Sequence, residues 1–280
     1  MDTCVFVSTS SKIRALMHVD DPLAVGDEFL KNFWNELSRR VLLRVATPIN
    51  ATIPVKFLGR EHLSFRFGGK RGFTVKHTER YWNSALDIYG LTEAKSAQTA
   101  GDKKEKPVEG QVDAHLRHLD ASAHSRYRQG VGKLQFTTSE RTDIKYAVKC
   151  RSHRLAKPTL ADEADLKHLL RYVKGTKEEK LWLTVPDIES KELIEKLTSF
   201  DTFTDSNWAE DPDTGVSTTC CLTFAGDFLL DQTVINQETV AQSTHEAEYL
   251  AAGSGARDNL YFRSLAKEIG FTKKDGTELD

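Results

Sequence analysis

Asp205 and Glu248 are the two residues whose type and setting best suit chemistry. Asp205 stands in Thr204-Asp205-Ser206-Asn207-Trp208-Ala209-Glu210-Asp211, which reads as a strand that ends at Asp205 and runs into an acidic turn. Glu248 stands in Ser243-Thr244-His245-Glu246-Ala247-Glu248-Tyr249-Leu250, which reads as a capped helix start. Glu246 completes a Ser-x-x-Glu capping box, so it serves the helix end. Glu248 is left to face the sheet beside Tyr249 and Ala252. Two carboxylates brought together from a strand and a helix are what a Mg²⁺ site for phosphodiester cleavage needs, with paired ions about 4 Å apart activating water and holding the leaving oxygen. Each acid alone fits an ordinary surface or capping role, and only the pair points to metal chemistry.

A second acidic pair, Asp20-Asp21, follows an alternating run from Lys12 to Val19 and precedes Pro22. It fits a metal-binding hairpin or an ordinary turn, and Pro22, lacking an amide donor, weighs against a sheet interior. The basic side chains on expected helices or nearby loops include Arg126, Arg128, Lys133, Arg151, Arg154, Arg171 and Lys174. Such a surface can track a phosphate backbone or can be a solvated helix face with local ion pairs. Charge is unevenly spread: residues 60–180 hold 25 Lys and Arg against 16 Asp and Glu, whereas residues 181–280 hold 7 against 19. A basic middle beside an acidic end suits a protein that grips phosphates next to metal-binding carboxylates. Cys4, Cys150, Cys220 and Cys221 lack zinc-ligand spacing, as do the nine histidines, and the cysteines read as reduced. There is no apolar run near the ~20 residues of a membrane span and no basic-led secretory signal, so an intracellular, unsecreted protein is expected.

The elements that must position these residues are legible in outline. At 280 residues the length suggests about two domains. Alternation predicts a strand over 12–19, a return at Leu23-Ala24-Val25, and a hairpin of 62–67 and 71–75 about Gly68-Gly69. Helical spacing runs over 28–40 and over 78–89, the second ended by Gly90. Residues 95–112 form a polar linker. One helix is expected over 125–155 and another over 160–173, capped by Thr159 and ended by Gly175. A hinge spans 186–199, strands follow over 201–205, 216–224 and 228–235, and a last helix runs over 244–269. The expected class is α/β, in the α+β sense.

With those residues in place, the chain resembles the Pol polyproteins of copia-type retrotransposons. Segment 199–270 is similar to the family's ribonuclease H pattern Ser-Asp-Ala-Asp-Trp-Ala-Gly-Asp followed by Ser-Ser-Thr-Glu-Ala-Glu-Tyr. Upstream, Tyr127-Arg128-Gln129-Gly130, Arg141-Thr142-Asp143-Ile144-Lys145-Tyr146 and Leu169-Leu170-Arg171-Tyr172-Val173-Lys174-Gly175 resemble its reverse transcriptase thumb or connection. His18-Val19-Asp20-Asp21 falls where the family carries Tyr-Val-Asp-Asp, its polymerase metal hairpin, with His18 in place of the tyrosine. The resemblance implies a partial palm over 1–94, the linker over 95–112, a helical thumb-connection over 113–180, and an incomplete ribonuclease H-like domain with a mixed sheet over 195–280. It implies that Asp20 and Asp21 bind polymerase Mg²⁺ and that Asp205 and Glu248 bind nuclease Mg²⁺. The implied partners are an RNA/DNA hybrid or RNA template and the remainder of a polyprotein, with no membrane.

The family's further acids are expected before Met1 and after Asp280, and Asp275 and Asp280 sit in a polar tail that substitutes poorly for them. Three readings stay open: a catalytically incomplete remnant, a non-catalytic nucleic-acid-binding protein, or an enzyme completed by a longer polyprotein or another chain.

Overall fold

The computed structural model describes residues 4–8, 12–101, 116–188, 192–193, 197, 199–211 and 214–271. Most of the expected linker, part of the 186–199 hinge, and Asp275 and Asp280 lie outside the described residues. Three antiparallel sheets and six α-helices make up the described part, which confirms the α+β class.

The first sheet has the order β1 (Val5–Val7), β2 (Arg14–His18), β3 (Asp21–Val25). A two-residue turn at Val19-Asp20 closes the hairpin, with Val19 in the left-handed region at φ 55°. Pro22 lies in β3 opposite Met17, at the edge of the sheet and not in its interior. β3 is an edge strand, where a missing amide breaks no ladder. Helix α1 (Leu30–Arg40) follows and buries none of its residues.

The second sheet orders β4 (Val55–Phe57), β5 (Arg60–Phe67), β6 (Lys70–His77) and β7 (Leu181–Pro186). Gly68 and Gly69, at φ 60° and 70°, make the two-residue β5–β6 turn, a conformation that costs glycine nothing. Strand β7 was not anticipated; it returns from beyond the helices to pair along β6 from Val75 to Lys70.

A helical core lies between these strands in sequence. It contains α2 (Glu79–Leu86), α3 (Ala121–Gln135), α4 (Thr142–His153) and α5 (Leu160–Gly175). Trp82, Leu86, Tyr127, Val131, Leu134, Ile144, Val148, Leu166, Leu169, Leu170 and Val173 are buried together there. Each such aliphatic contributes about 1.5–3 kcal/mol through removal from water. Thr159 caps α5 in a full capping box with Asp162, as expected. The single helix expected over 125–155 is two helices. After Leu134, the Thr137 and Thr138 hydroxyls donate to the carbonyls of Leu134 and Gln135 and replace the next helical turn.

The third unit is the sheet β8 (Phe200–Asn207), β9 (Thr218–Ala225), β10 (Phe228–Asn236), covered on one face by α6 (Thr244–Glu268). It is wholly antiparallel among the described residues, which corrects the expected mixed sheet. The β9–β10 connection is too short for the crossover that parallel pairing requires. Helix α4 packs against β10, so the sheet lies between two helices. At the far end of α6, Arg14 of β2 donates to the Ile269 carbonyl at 2.9 Å and ties in the first sheet.

Candidate metal-binding acids and nucleic-acid interface

Strand β8 alternates strictly in exposure and thereby separates its side chains into two sets. Thr202 and Thr204 face α6: a Cβ placed on Gly255 would lie 2.3 Å from the Thr204 methyl and 2.9 Å from that of Thr202. Asn259 of α6 donates to the Phe200 carbonyl at 3.0 Å and to Thr202 at 3.1 Å. Asp201, Phe203, Asp205 and Asn207 therefore project from the other face. Asp205 is exposed there, in mid-strand opposite Cys220, and the strand continues past it to Asn207. Burial and then the Asp205 carboxylate push the Cys220 thiol above its ordinary value.

Ser243 caps α6 by accepting from the Glu246 amide at 3.2 Å. Glu246 reaches back to accept from the Gln242 amide at 2.7 Å, so its capping role is as expected. Glu248 is half-buried, on the helix side that Gly255 continues two turns later. The neighbours expected to flank it against the sheet do not: Tyr249 and Ala252 are exposed, while Ala247 and Ala251 are buried. Asp205 and Glu248 thus belong to one sheet–helix unit but issue from opposite faces of β8. Among the described residues no group of three or more His, Cys, Asp or Glu could hold a metal ion. The acids as placed do not fit a paired-Mg²⁺ site. A further acid of this unit, Asp258 on α6, is held above its usual range by burial and then by the charge of Asp231. Sequence reasoning passed it over because a lone aspartate in a helix carries no pattern.

Asp20 and Asp21 sit exposed at the tip of the β2–β3 hairpin. That is the position a metal hairpin would need, without a third acid beside them among the described residues.

Of the basic residues, Arg126 and Arg128 of α3 are exposed, and Arg126 also donates to Ser122 at 3.3 Å. The others are partly committed within the fold. Lys133 donates to Ser84 at 3.0 Å and lies over the Tyr81 ring. Arg151 donates to the Ala147 carbonyl and pairs with Asp165 at 3.8 Å. Arg171 lies against His168, and Lys174 donates to the Ala94 carbonyl at 2.6 Å. Arg154 is half-buried just past α4. On α3 the exposed positive charge is held by Arg126 and Arg128, which flank the buried Tyr127 on either side.

A polar seam joins α4 to the third sheet. Lys149 donates to Thr218 at 2.5 Å and pairs with Glu210 at 3.3 Å. His153 meets Asp211 at 2.7 Å and Asn236 at 3.1 Å. Gln232 donates to the carbonyls of Thr138 and Ser139. Burial draws the Lys145 and Lys149 ammonium groups below their usual values in this seam. Strand β7, missed in the sequence, brings Trp182 to 5.0 Å from Phe65. The short, β-prone apolar run Leu181-Trp182-Leu183-Thr184-Val185 was the signal that could have revealed it.

Among the described residues no helix is long and apolar enough to cross a membrane. No family model matches the chain, and no solved structure matches it. Curated relatives do. The chain is 30% identical over 239 residues to the uncharacterized mitochondrial protein AtMg00810 of Arabidopsis thaliana, covering 84% of this chain and 88% of that one. It is 27% identical over 275 residues to the retrovirus-related Pol polyprotein from transposon RE1 of the same plant, covering 96% of this chain. It is 26% identical over 281 residues to the retrovirus-related Pol polyprotein from transposon TNT 1-94 of Nicotiana tabacum, covering 98% of this chain. It spans 17% and 20% of the lengths of those two polyproteins. An ordered match along nearly the whole chain to these polyproteins, and to a relative of similar length, establishes that the chain belongs to the copia-type retrotransposon Pol polyprotein family.

Proposed function

We propose that this chain is a nucleic-acid-holding part of a retrotransposon Pol polyprotein, formed from a reverse transcriptase thumb-connection and a ribonuclease H-like unit, and that it does not itself assemble a catalytic magnesium centre. The observation that carries this reading is the divergence of Asp205 and Glu248 across β8. Paired-metal cleavage requires carboxylates converging on ions about 4 Å apart. Here the first acid looks away from the helix that bears the second. The two exposed arginines on α3 support a backbone-tracking contact to RNA or an RNA/DNA hybrid, because guanidinium groups neutralise phosphates and release counterions.

The test places the whole chain on one end-labelled RNA/DNA primer-template with Mg²⁺. Extension and cleavage are read on the same gel beside Asp20→Ala, Asp205→Ala and Glu248→Ala. Neither product is expected. Hybrid binding should weaken as salt rises, and the double change Arg126→Glu with Arg128→Glu should flatten the salt slope by about 2, near one unit per lost phosphate contact. Product that disappears in the alanine variants would overturn the reading and make the chain an enzyme.

A further inference from the structure

The four-stranded sheet carries a feature that the thumb-like helices do not explain. Registers along β5, β6 and β7 place Phe65 opposite Gly72, Phe67 opposite Lys70, and Trp182 opposite Thr74. Cross-strand partners share a face, so the three aromatic rings and Lys70 project from the same side. Phe65 and Trp182 lie 5.0 Å apart, Phe65 and Phe67 5.3 Å, and Phe67 and Trp182 5.9 Å. Phe65 and Trp182 reach each other across β6, Phe65 standing opposite Gly72. A Cβ there would lie 1.9 Å from the Leu183 carbonyl oxygen, so only glycine fits. Two of the rings are left in solvent, Phe67 63% and Trp182 44% exposed, while Phe65 is half-buried between them.

The rim of this cluster is cationic. Lys70 is exposed beside Phe67, and the Lys180 ammonium stands 5.8 Å from the centre of the Trp182 ring. Lys56 is exposed on the same face, across from Glu61. Lys76 is also on this face but is paired with Glu178 at 2.8 Å. Exposed aromatic faces ringed by lysines match a ligand with flat apolar groups strung on an anionic backbone. That is the chemistry of unpaired nucleotides: bases stack on rings while ammonium groups meet phosphates. A duplex cannot use such a surface, since its bases are already stacked on one another.

We propose that the face of the β4–β7 sheet bearing Phe65, Phe67 and Trp182 binds single-stranded nucleic acid by base stacking. The site is distinct from the α3 arginines. It rests on the nucleic-acid reading above only in sharing a class of partner. About two adjacent unpaired nucleotides span the 5.9 Å from Phe67 to Trp182, and binding there is tolerant of sequence, because every base offers a π face.

The experiment titrates the whole chain into three fluorescein-labelled probes and reads anisotropy. The probes are a twelve-nucleotide thymidine strand, an abasic strand with the same backbone, and a twelve-base-pair RNA/DNA hybrid. The thymidine strand is expected to bind about a hundredfold more tightly than the abasic one, and Phe67→Ala and Trp182→Ala should each remove about tenfold of that affinity. Trp182→Phe should restore most of it, and hybrid binding should not change in any of the three. Because Phe67 is mostly in solvent, Phe67→Ala keeps the fold, and a circular dichroism melt verifies this. Equal binding of the thymidine and abasic strands would overturn the proposal, as would wild-type affinity in both alanine variants. Self-association abolished by Phe67→Asp, with no strand bound, would overturn it in favour of an interface between copies. Loss of hybrid binding on Arg126→Glu with Arg128→Glu reports on the α3 reading alone, so the two can fail separately.

Discussion

At the scale of single residues, the most consequential group outside the candidate site is Glu140, in the short connection between α3 and α4. It accepts from Arg60 of β5 at 2.5 Å and bonds His77 of β6 at 2.8 Å, with only 9% of its side chain exposed. The His77 ring packs between Tyr81, Trp82 and Phe136, so one carboxylate locks the second sheet onto the helical core. Burial alone would raise the Glu140 pKa, but hydrogen bonds from His77 and Arg60 outweigh it and the value falls below the ordinary 4.5. The sign for stability follows. A depressed carboxylate contributes fully above its unfolded pKa, and the contribution is lost as pH falls from about 4.5 through the folded value. Glu140→Gln should cost about 3 kcal/mol at pH 7, as breaking a buried ion pair does, and less at pH 3, below the unfolded value. Urea unfolding at the two pH values measures the difference, and an equal cost at both would show that the pair contributes no charge-dependent stability.

At the scale of elements, α6 is held on β8 by close approach rather than by large side chains. Ala247, Ala251 and Gly255 form its buried stripe, and Gly255 lies directly over Thr202 and Thr204. Gly255→Ala forces the helix off the strand and should cost about 1–3 kcal/mol, in the range of other overpacked sites. Gly253 lies on the same helix with nothing within 4 Å of a Cβ. There the same substitution removes glycine's backbone entropy and should stabilise by about 0.5–1 kcal/mol. Paired denaturant titrations read both signs. A stabilising Gly255→Ala would mean that α6 has room to move on the sheet, and the separation of Asp205 from Glu248 would then be adjustable.

At the scale of the whole molecule, the third sheet is joined to the helical core by polar contacts instead of a shared apolar core. Gln232 supplies two of them, to the Thr138 and Ser139 carbonyls, and is 6% exposed. Gln232→Ala leaves those carbonyls without their donor and should cost about 1–2 kcal/mol. The loss belongs to docking and not to the core around Leu166 and Leu169. Hydrogen exchange should therefore quicken in β8–β10 while α3–α5 keep their protection. Uniform loss of protection throughout would mean that the two parts unfold as one cooperative unit.

The sequence by itself determined the elements with strong local periodicity. These include the Gly68-Gly69 hairpin, the Thr159 capping box, the Ser243 start of α6 and the strands of the third sheet, all read from residue spacing and turn chemistry. It also carried the resemblance that the curated relatives bear out, because motif order along a chain survives without knowledge of packing. Other features were decided only by the tertiary structure. Strand β7 pairs with β6 across more than a hundred residues, the helix expected over 125–155 divides where three hydroxyl-bearing residues follow Leu134, and Pro22 is housed on an edge strand. Most important for function is the side of β8 on which Asp205 projects. Strand side chains alternate with a period of two, so a motif names the residues that could meet but does not state which face they take. That depends on which helix covers the sheet, and α6 covers the face that Asp205 does not share.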